Sequence, residues 1–370
     1  MITRVYIDNF RCFSNFELKP GRINLLFGLN GSGKSSFLDV FDRIIGLILD
    51  GRDVDECFAE TDLTRWDTRR KQRLELDLGI NDETFTYGAT LECSSPGGGM
   101  ALRDERVTCG DRILFRYEDG YVHLYKREGS EGANFSFRGN RSFIAGIEER
   151  PETVDLMSFL TRLRSLRTYK LEPAKMGSVT QEERQRLLKD GANFASWYRH
   201  LSQERAGDIP QLFEQLTEAL PGFQALALKG AGKQGRTRDL VVQMQAEGQK
   251  SYEVDFDAVS DGQRTLIVLY ALLVDIGADP RTVFLDEPEN YVGLSELQPW
   301  LQRLDEALGD VGQLFLISHH PEVIDFLVPE NPILFERPGG GPVRVKSADF
   351  DRESGLKASE QIARGLLYAQ

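Results

Sequence analysis

The chain opens on short apolar alternations. Thr3-Arg4-Val5-Tyr6-Ile7 and Phe16-Glu17-Leu18 read as strands separated by a turn, and Ile23-Asn24-Leu25-Leu26-Phe27 reads as a buried strand that stops at Gly28. The period then changes to helical. Phe37, Leu38, Val40 and Phe41 fall on one side of a helix that runs to about Leu49, and Gly51 marks its end. Residues 72–145 return to a two-residue period, clearest in Arg73-Leu74-Glu75-Leu76-Asp77-Leu78 and in Tyr121-Val122-His123-Leu124-Tyr125, with Pro96-Gly97-Gly98-Gly99 as a loop. Residues 152–221 are patterned as helices: Val154–Leu166, Gln181–Leu188, Asn193–Leu201 and Pro210–Leu220, broken by Pro173, Gly191 and Pro221. No heptad pattern persists there, which excludes a long coiled coil. Strand-like stretches return at 223–229 and 238–246. From Val259 helices and strands alternate, the layout of a parallel α/β sheet, and Gly339–Gly341 turns a terminal hairpin.

Between the third strand and the first helix stands Gly28-Leu29-Asn30-Gly31-Ser32-Gly33-Lys34-Ser35, which fits the phosphate-cradling pattern G-x-x-x-x-G-K-[ST] in its strand-to-helix context. The glycines let backbone N–H groups turn inward on an anion, and the helix adds the positive end of its dipole. Lys34 is expected to reach the β- and γ-phosphates, and the Ser35 hydroxyl to bind Mg²⁺. Further on, Thr282-Val283-Phe284-Leu285 reads as a buried strand with Asp286 and Glu287 at its C-terminal end, where ligands bind in open α/β sheets. Asp286 is expected to hold the metal shell, and Glu287 to orient or deprotonate an attacking water. Another buried strand, Leu314–Ile317, ends in Ser318-His319-His320; of the two histidines, His319 is the preferred sensor of a γ-phosphate. Val259-Ser260-Asp261-Gly262-Gln263-Arg264 opens a helix. Ser260 and Gln263 have capping-box spacing, while the N–H groups at Gly262 also suit a second phosphate, and the two readings compete for the same hydroxyl.

Composition narrows the class. The 370 residues carry a net charge of −13, which argues against a wholly basic nucleic-acid-binding protein and leaves room for a local basic groove. Arg65, Arg69, Arg70, Lys71 and Arg73 form a dense run, either a solvated loop or a phosphate-contacting patch. Cys12, Cys57, Cys93 and Cys109 lack the paired spacing of a disulfide framework or a zinc site. Arg4 and Asp8 interrupt the first apolar stretch, so no signal peptide is expected, and Thr265–Val274 is too short to span a bilayer. The expected setting is soluble and cytoplasmic.

In order along the chain, the phosphate loop Gly28–Ser35, the signature Ser260-Asp261-Gly262-Gln263, the acidic pair Asp286-Glu287 and His319 resemble the ABC-class ATPases. The fold expected is α/β: a P-loop NTPase of ABC-ATPase head type, with a mixed sheet, flanking helices, a β-rich subdomain and a helical insertion. Its expected divisions are residues 1–150, an N-terminal lobe; 151–222, the insertion; and 223–370, a C-terminal lobe. The resemblance implies ATP and Mg²⁺ as ligands and a head-to-tail homodimer. Each ATP would lie between the phosphate loop of one subunit (Asn30, Gly31, Ser32, Gly33, Lys34, Ser35, Ser36) and Ser260, Gly262 and Gln263 of the other. Glu287 would be the general base, His319 the γ-phosphate sensor, and Ser35 and Asp286 the metal contacts.

The opening Asn9-Phe10-Arg11-Cys12-Phe13 is similar to the start of the SMC/RecF-like soluble branch, in which Arg11 would touch the nucleotide. Asp190-Gly191-Ala192-Asn193-Phe194-Ala195 and Glu287-Pro288-Glu289-Asn290 resemble segments of compact AAA ATPase-like proteins related to the OLD family. Those relatives often continue with Leu-His-Pro, whereas here Tyr291 is followed by Val292-Gly293. Gln72 is the candidate for the family's glutamine-bearing loop. The residues after the last core strand are too few for a TOPRIM nuclease domain, so an effector, a nuclease among the candidates, is expected as a separate protein. The function implied is an ATP-hydrolysing switch in DNA repair or anti-phage defence. The alternative is an ATPase acting directly on DNA. A transporter subunit is disfavoured by the Asn9-Phe10-Arg11 start and the central insertion.

Overall fold

The computed structural model describes every residue except Pro96, Arg138, 232–235, 278–280, Pro329, Arg352 and 368–370. Two compact units are distinguishable: residues 1–166 with 313–319 and 324–370, and residues 167–312 with 320–323.

The first unit begins with β1 (Ile2–Asp8), β2 (Phe16–Leu18), β3 (Ile23–Phe27), α1 (Lys34–Ile48) and the short α2 (Val54–Cys57). A meander follows, β4 (Lys71–Ile80), β5 (Glu83–Cys93), β6 (Met100–Cys109), β7 (Arg112–Glu118), β8 (Tyr121–Tyr125) and β9 (Glu131–Ser136), and then α3 (Val154–Arg164). Strands β2-β1-β4-β5-β6-β7-β8-β9 form one antiparallel sheet. Alternate residues of β4 and β5 point inward, so Leu74, Leu76, Leu78, Phe85, Tyr87 and Leu91 are buried, and the Tyr87 ring stacks on Phe159 of α3. Of the Pro96–Gly99 loop between β5 and β6, Pro96 lies outside the described residues.

The second unit holds β10 (Leu166–Tyr169), β11 (Val179–Thr180), α4 (Phe194–Glu204), α5 (Ile209–Ala219), β12 (Phe223–Ala231), β13 (Thr237–Met244), β14 (Tyr252–Asp255), α6 (Asp261–Ile276), β15 (Thr282–Asp286) and α7 (Leu294–Leu308). β10 lies beside β15, while β13 is paired by β11, β12 and β14. Helix α6 is buried on nearly every side from Thr265 to Leu273, as expected for a helix apolar all round. The fully buried Trp300 of α7 donates its indole N–H to the Leu269 carbonyl at 2.8 Å.

The chain then supplies β16 (Gln313–Ile317), α8 (Pro321–Leu327), β17 (Pro332–Glu336), β18 (Arg344–Ser347) and α9 (Ala358–Ala363). Within the first unit β3 runs parallel to both β16 and β17, and β18 closes the expected hairpin on β17. All five residues of β3 are buried, including Asn24, whose amide donates to the carbonyls of Gly21 and Leu314. A polar residue inside that apolar run is therefore satisfied by neighbouring backbone.

Two local expectations are corrected. Residues 181–188 are irregular rather than helical, because the Asn193 side chain takes over their backbone: its Oδ1 accepts from Leu188 N at 2.8 Å and its Nδ2 donates to Arg186 O at 2.9 Å. The helix expected to reach Leu166 stops at Arg164, and Leu166–Tyr169 becomes the strand β10. The expected insertion 151–222 thus contains β10 and β11 as well as helices, and it spans the end of one unit and the start of the other. Among the described residues no helix is long and apolar enough to cross a membrane.

Candidate nucleotide site

In the first unit the phosphate loop follows the fully buried β3 and precedes α1. Gly28, Gly31 and Gly33 all have positive φ, at 143°, 76° and 103°. Two of them also have no space for a side chain: a Cβ at Gly28 would lie 2.2 Å from the Phe335 carbonyl oxygen, and one at Gly33 would lie 2.8 Å from Val343 Cγ2. Sequence here dictates a backbone that only glycine adopts without strain. Lys34 is 5% exposed, and its Nζ donates to the carbonyls of Gly28 at 2.9 Å and Leu29 at 3.1 Å. Among the described residues no side chain caps α1, so its first N–H groups are available to an anion. Ser35 is exposed, as are Asn30 and Gly31, while Ser32 is buried.

Arg11 reaches the first turn of the same helix. Its guanidinium donates to Asp39 Oδ2 at 2.7 Å, Asp62 Oδ1 at 3.1 Å and the Ser36 hydroxyl at 3.3 Å. Asn9 and Arg11 both adopt positive φ, and Phe10 and Phe13 pair their backbones across the tight turn. Asn9 is fully buried and donates to the carbonyls of Arg69 and Lys71. The Asn-Phe-Arg start is thus a packed corner that sets Cys12 and Phe13 against Gly33 of the phosphate loop and Arg11 against the first turns of α1. Gln72 is fully buried in β4, with its amide donating to the Asp62 carbonyl at 3.2 Å. The basic run is largely paired: Arg69 contacts Asp8 and Asp67, Arg73 contacts Glu75, and Arg70 and Lys71 approach Glu60 and Glu92. That pairing is the pattern of a solvated surface.

In the second unit Asp286 ends β15 at 4% exposure. Its Oδ2 accepts from Lys170 Nζ at 2.9 Å, and its buried Oδ1 has no hydrogen-bond partner among the described residues. Glu287 follows with φ at 51°, a left-handed conformation that is strained for a side chain bearing Cβ. Its Oε2 accepts from Asn290 Nδ2 at 3.0 Å. The signature turn is built as a capping box: Ser260 Oγ accepts from Gln263 N at 3.3 Å, and Gln263 Oε1 accepts from Ser260 N at 3.2 Å. Gly262 packs so closely that a Cβ would lie 2.6 Å from the Tyr291 carbonyl oxygen, tying the signature turn to the loop after Glu287.

The two histidines at the end of β16 differ in surroundings. His319 is exposed, whereas His320 Nδ1 accepts from the backbone N–H of Glu322 at the start of α8.

A family model described as an AAA ATPase domain matches residues 1–95. The OLD nuclease of Thermus scotoductus is 23% identical over 346 residues, covering 88% of this chain and 60% of that protein. Among solved structures, an SMC head bound to the C-winged helix domain of ScpA has a TM-score of 0.54 at 14% identity, covering 96% of this chain and 99% of that one. An SMC head with an extended coiled coil, bound to the C-terminal domain of ScpA derived from Pyrococcus furiosus, also gives 0.54, at 12% identity and with 94% and 96% covered. The fold is that of an SMC head. The chain spans 60% of the length of the OLD nuclease it matches.

The head fold's expected ligands fit the residues present. A loop whose Gly28 and Gly33 have no room for a Cβ and a helix start without a side-chain cap suit phosphate, and the orphaned Oδ1 of Asp286 suits a divalent cation or its water. Two residues escaped sequence reasoning. Arg337 donates to the carbonyl of Gly31 at 3.2 Å, with its guanidinium carbon 5.6 Å from the centre of the half-exposed Trp66 ring. Lys170, paired with Asp286, follows an inconspicuous four-residue strand. Neither belongs to a motif, and both reach their partners only through the fold.

Proposed function

We propose that this chain is a Mg²⁺-dependent ATP-hydrolysing switch whose heads pair head to tail around ATP and thereby regulate a separate effector. The observation that carries the reading is the phosphate loop: three glycines at positive φ, two without room for a side chain, around a buried Lys34, in an SMC-type head. Asn30–Gly33 and Lys34 bind the phosphates, Ser35 and Asp286 hold Mg²⁺, and Ser36 and Arg11 border the nucleotide. Glu287 activates the attacking water and His319 senses the γ-phosphate. Ser260, Gly262 and Gln263 complete the site from a second copy. The metal's chemistry is to neutralise charge on the transferred phosphoryl group. The similarity to the OLD nuclease supports a nuclease as effector; the setting proposed for the pair is DNA repair or phage defence.

The test is Glu287→Gln. The variant retains ATP binding, loses turnover and accumulates as a dimer in light scattering at saturating ATP. A hydrolytically dead variant that stays monomeric under those conditions refutes the shared-site reading.

A further inference from the structure

The carboxylate at the end of β15 is paired with a cation that no motif announces. Asp286 is almost entirely removed from solvent, and an unpaired charge there is strongly unfavourable. Lys170 Nζ satisfies Oδ2 at 2.9 Å, while Oδ1 remains buried and unsatisfied. The two sides of this pair are unequal. Only 3% of the Asp286 side chain is exposed, against 45% of the Lys170 side chain. The Lys170 backbone is fixed, its N–H donating to Lys189 O at 2.8 Å, with the Glu172 N–H on Asp190 O two residues on. A pinned backbone carrying a half-solvated, four-carbon arm describes a charge that can leave its partner without disturbing the strand.

We propose that Lys170 is a resident counter-ion for Asp286 that must withdraw when a divalent cation binds this carboxylate, so that Lys170 sets the affinity of the site for metal. The proposal rests on the reading of Asp286 as a metal contact. An ammonium and a divalent cation on one buried carboxylate repel each other, and the ammonium is the one with a route to water. Lys170 thus spares the nucleotide-free protein a bare buried carboxylate and weakens the metal complex by the same interaction.

The experiment is a titration of Mn²⁺, followed by electron paramagnetic resonance, into the full chain saturated with ADP. Lys170→Gln should bind Mn²⁺ about tenfold more tightly than the parent. Lys170→Arg keeps the pair and forks onto the carboxylate more firmly, so it should bind Mn²⁺ more weakly than the parent. This second variant keeps the test decisive if the glutamine variant does not fold. Asp286→Asn should weaken Mn²⁺ binding tenfold or more. If Asp286→Asn weakens binding while neither lysine variant moves it in the stated direction, the counter-ion role is overturned and the metal site stands. If Asp286→Asn leaves Mn²⁺ affinity unchanged, the metal assignment itself falls and the counter-ion role falls with it.

Discussion

Lys34 turns its ammonium back onto the carbonyls of Gly28 and Leu29, so the loop's own backbone helps to solvate a buried charge. Those contacts are replaceable by phosphate oxygens, which are stronger partners because they are anionic. Lys34→Ala therefore removes a charge-assisted contact of about 2–3 kcal/mol, and ATP affinity in a calorimetric titration should fall on the order of a hundredfold. Unchanged affinity refutes the assignment. The sequence singles out this residue because lysine at a fixed spacing after glycine in a strand-to-helix turn has a specific physical use. The positive φ of Glu287 was not legible. Only the structure shows that Glu287 sits at a left-handed backbone position, with its carboxylate accepting from the Asn290 amide.

At the scale of elements, the start of α6 resolves one ambiguity of the sequence. Ser260 and Gln263 do form the reciprocal cap, so in this state the hydroxyl is engaged by its own helix. The fixed neighbour is the Tyr291 carbonyl, 2.6 Å from where a Cβ of Gly262 would stand. Gly262→Val must push the signature turn and the loop after Glu287 apart. It should lower turnover by tenfold or more, while binding of ATP to a single, undimerised head, which rests on the phosphate loop alone, stays within about twofold. Binding and steady-state rates measured on one preparation check this, and a variant with full turnover would show that the contact is incidental. Elements themselves were read with uneven success. β3, α1, β15 and β16 were visible because their burial and period are strong. β10 and the 181–188 segment were misread because their conformation comes from strand pairing and from the Asn193 side chain.

For the molecule as a whole, the buried Glu105 contributes to the dependence of stability on pH. Glu105 of β6 is fully buried; its two oxygens accept from the hydroxyls of Tyr87 at 3.0 Å and Ser142 at 2.9 Å. Burial is the largest influence and pushes its pKa from 4.5 up to about 7. The folded value lies above the unfolded one, so the native state retains a proton that the unfolded chain releases. The stabilisation is full below pH 4.5, declines as pH rises through the window, and is gone above pH 7, a change of about 3 kcal/mol. Glu105→Gln should melt above the parent at pH 8, and the gap should shrink towards pH 5. A gap of constant size across that range would show that Glu105 does not titrate in the fold. The sequence by itself determined the glycine-rich turn between β3 and α1, the acidic end of β15, the capped start of α6 and the α/β class, because each follows from local period, glycine geometry and short-range spacing. Only the tertiary structure decided that Lys170 neutralises Asp286, that Gly262 abuts Tyr291, that Arg337 reaches Gly31 and that Glu105 is sealed from water. The reason is that these contacts join residues far apart in the chain, and burial of a charge is a property of its surroundings, which no local pattern records.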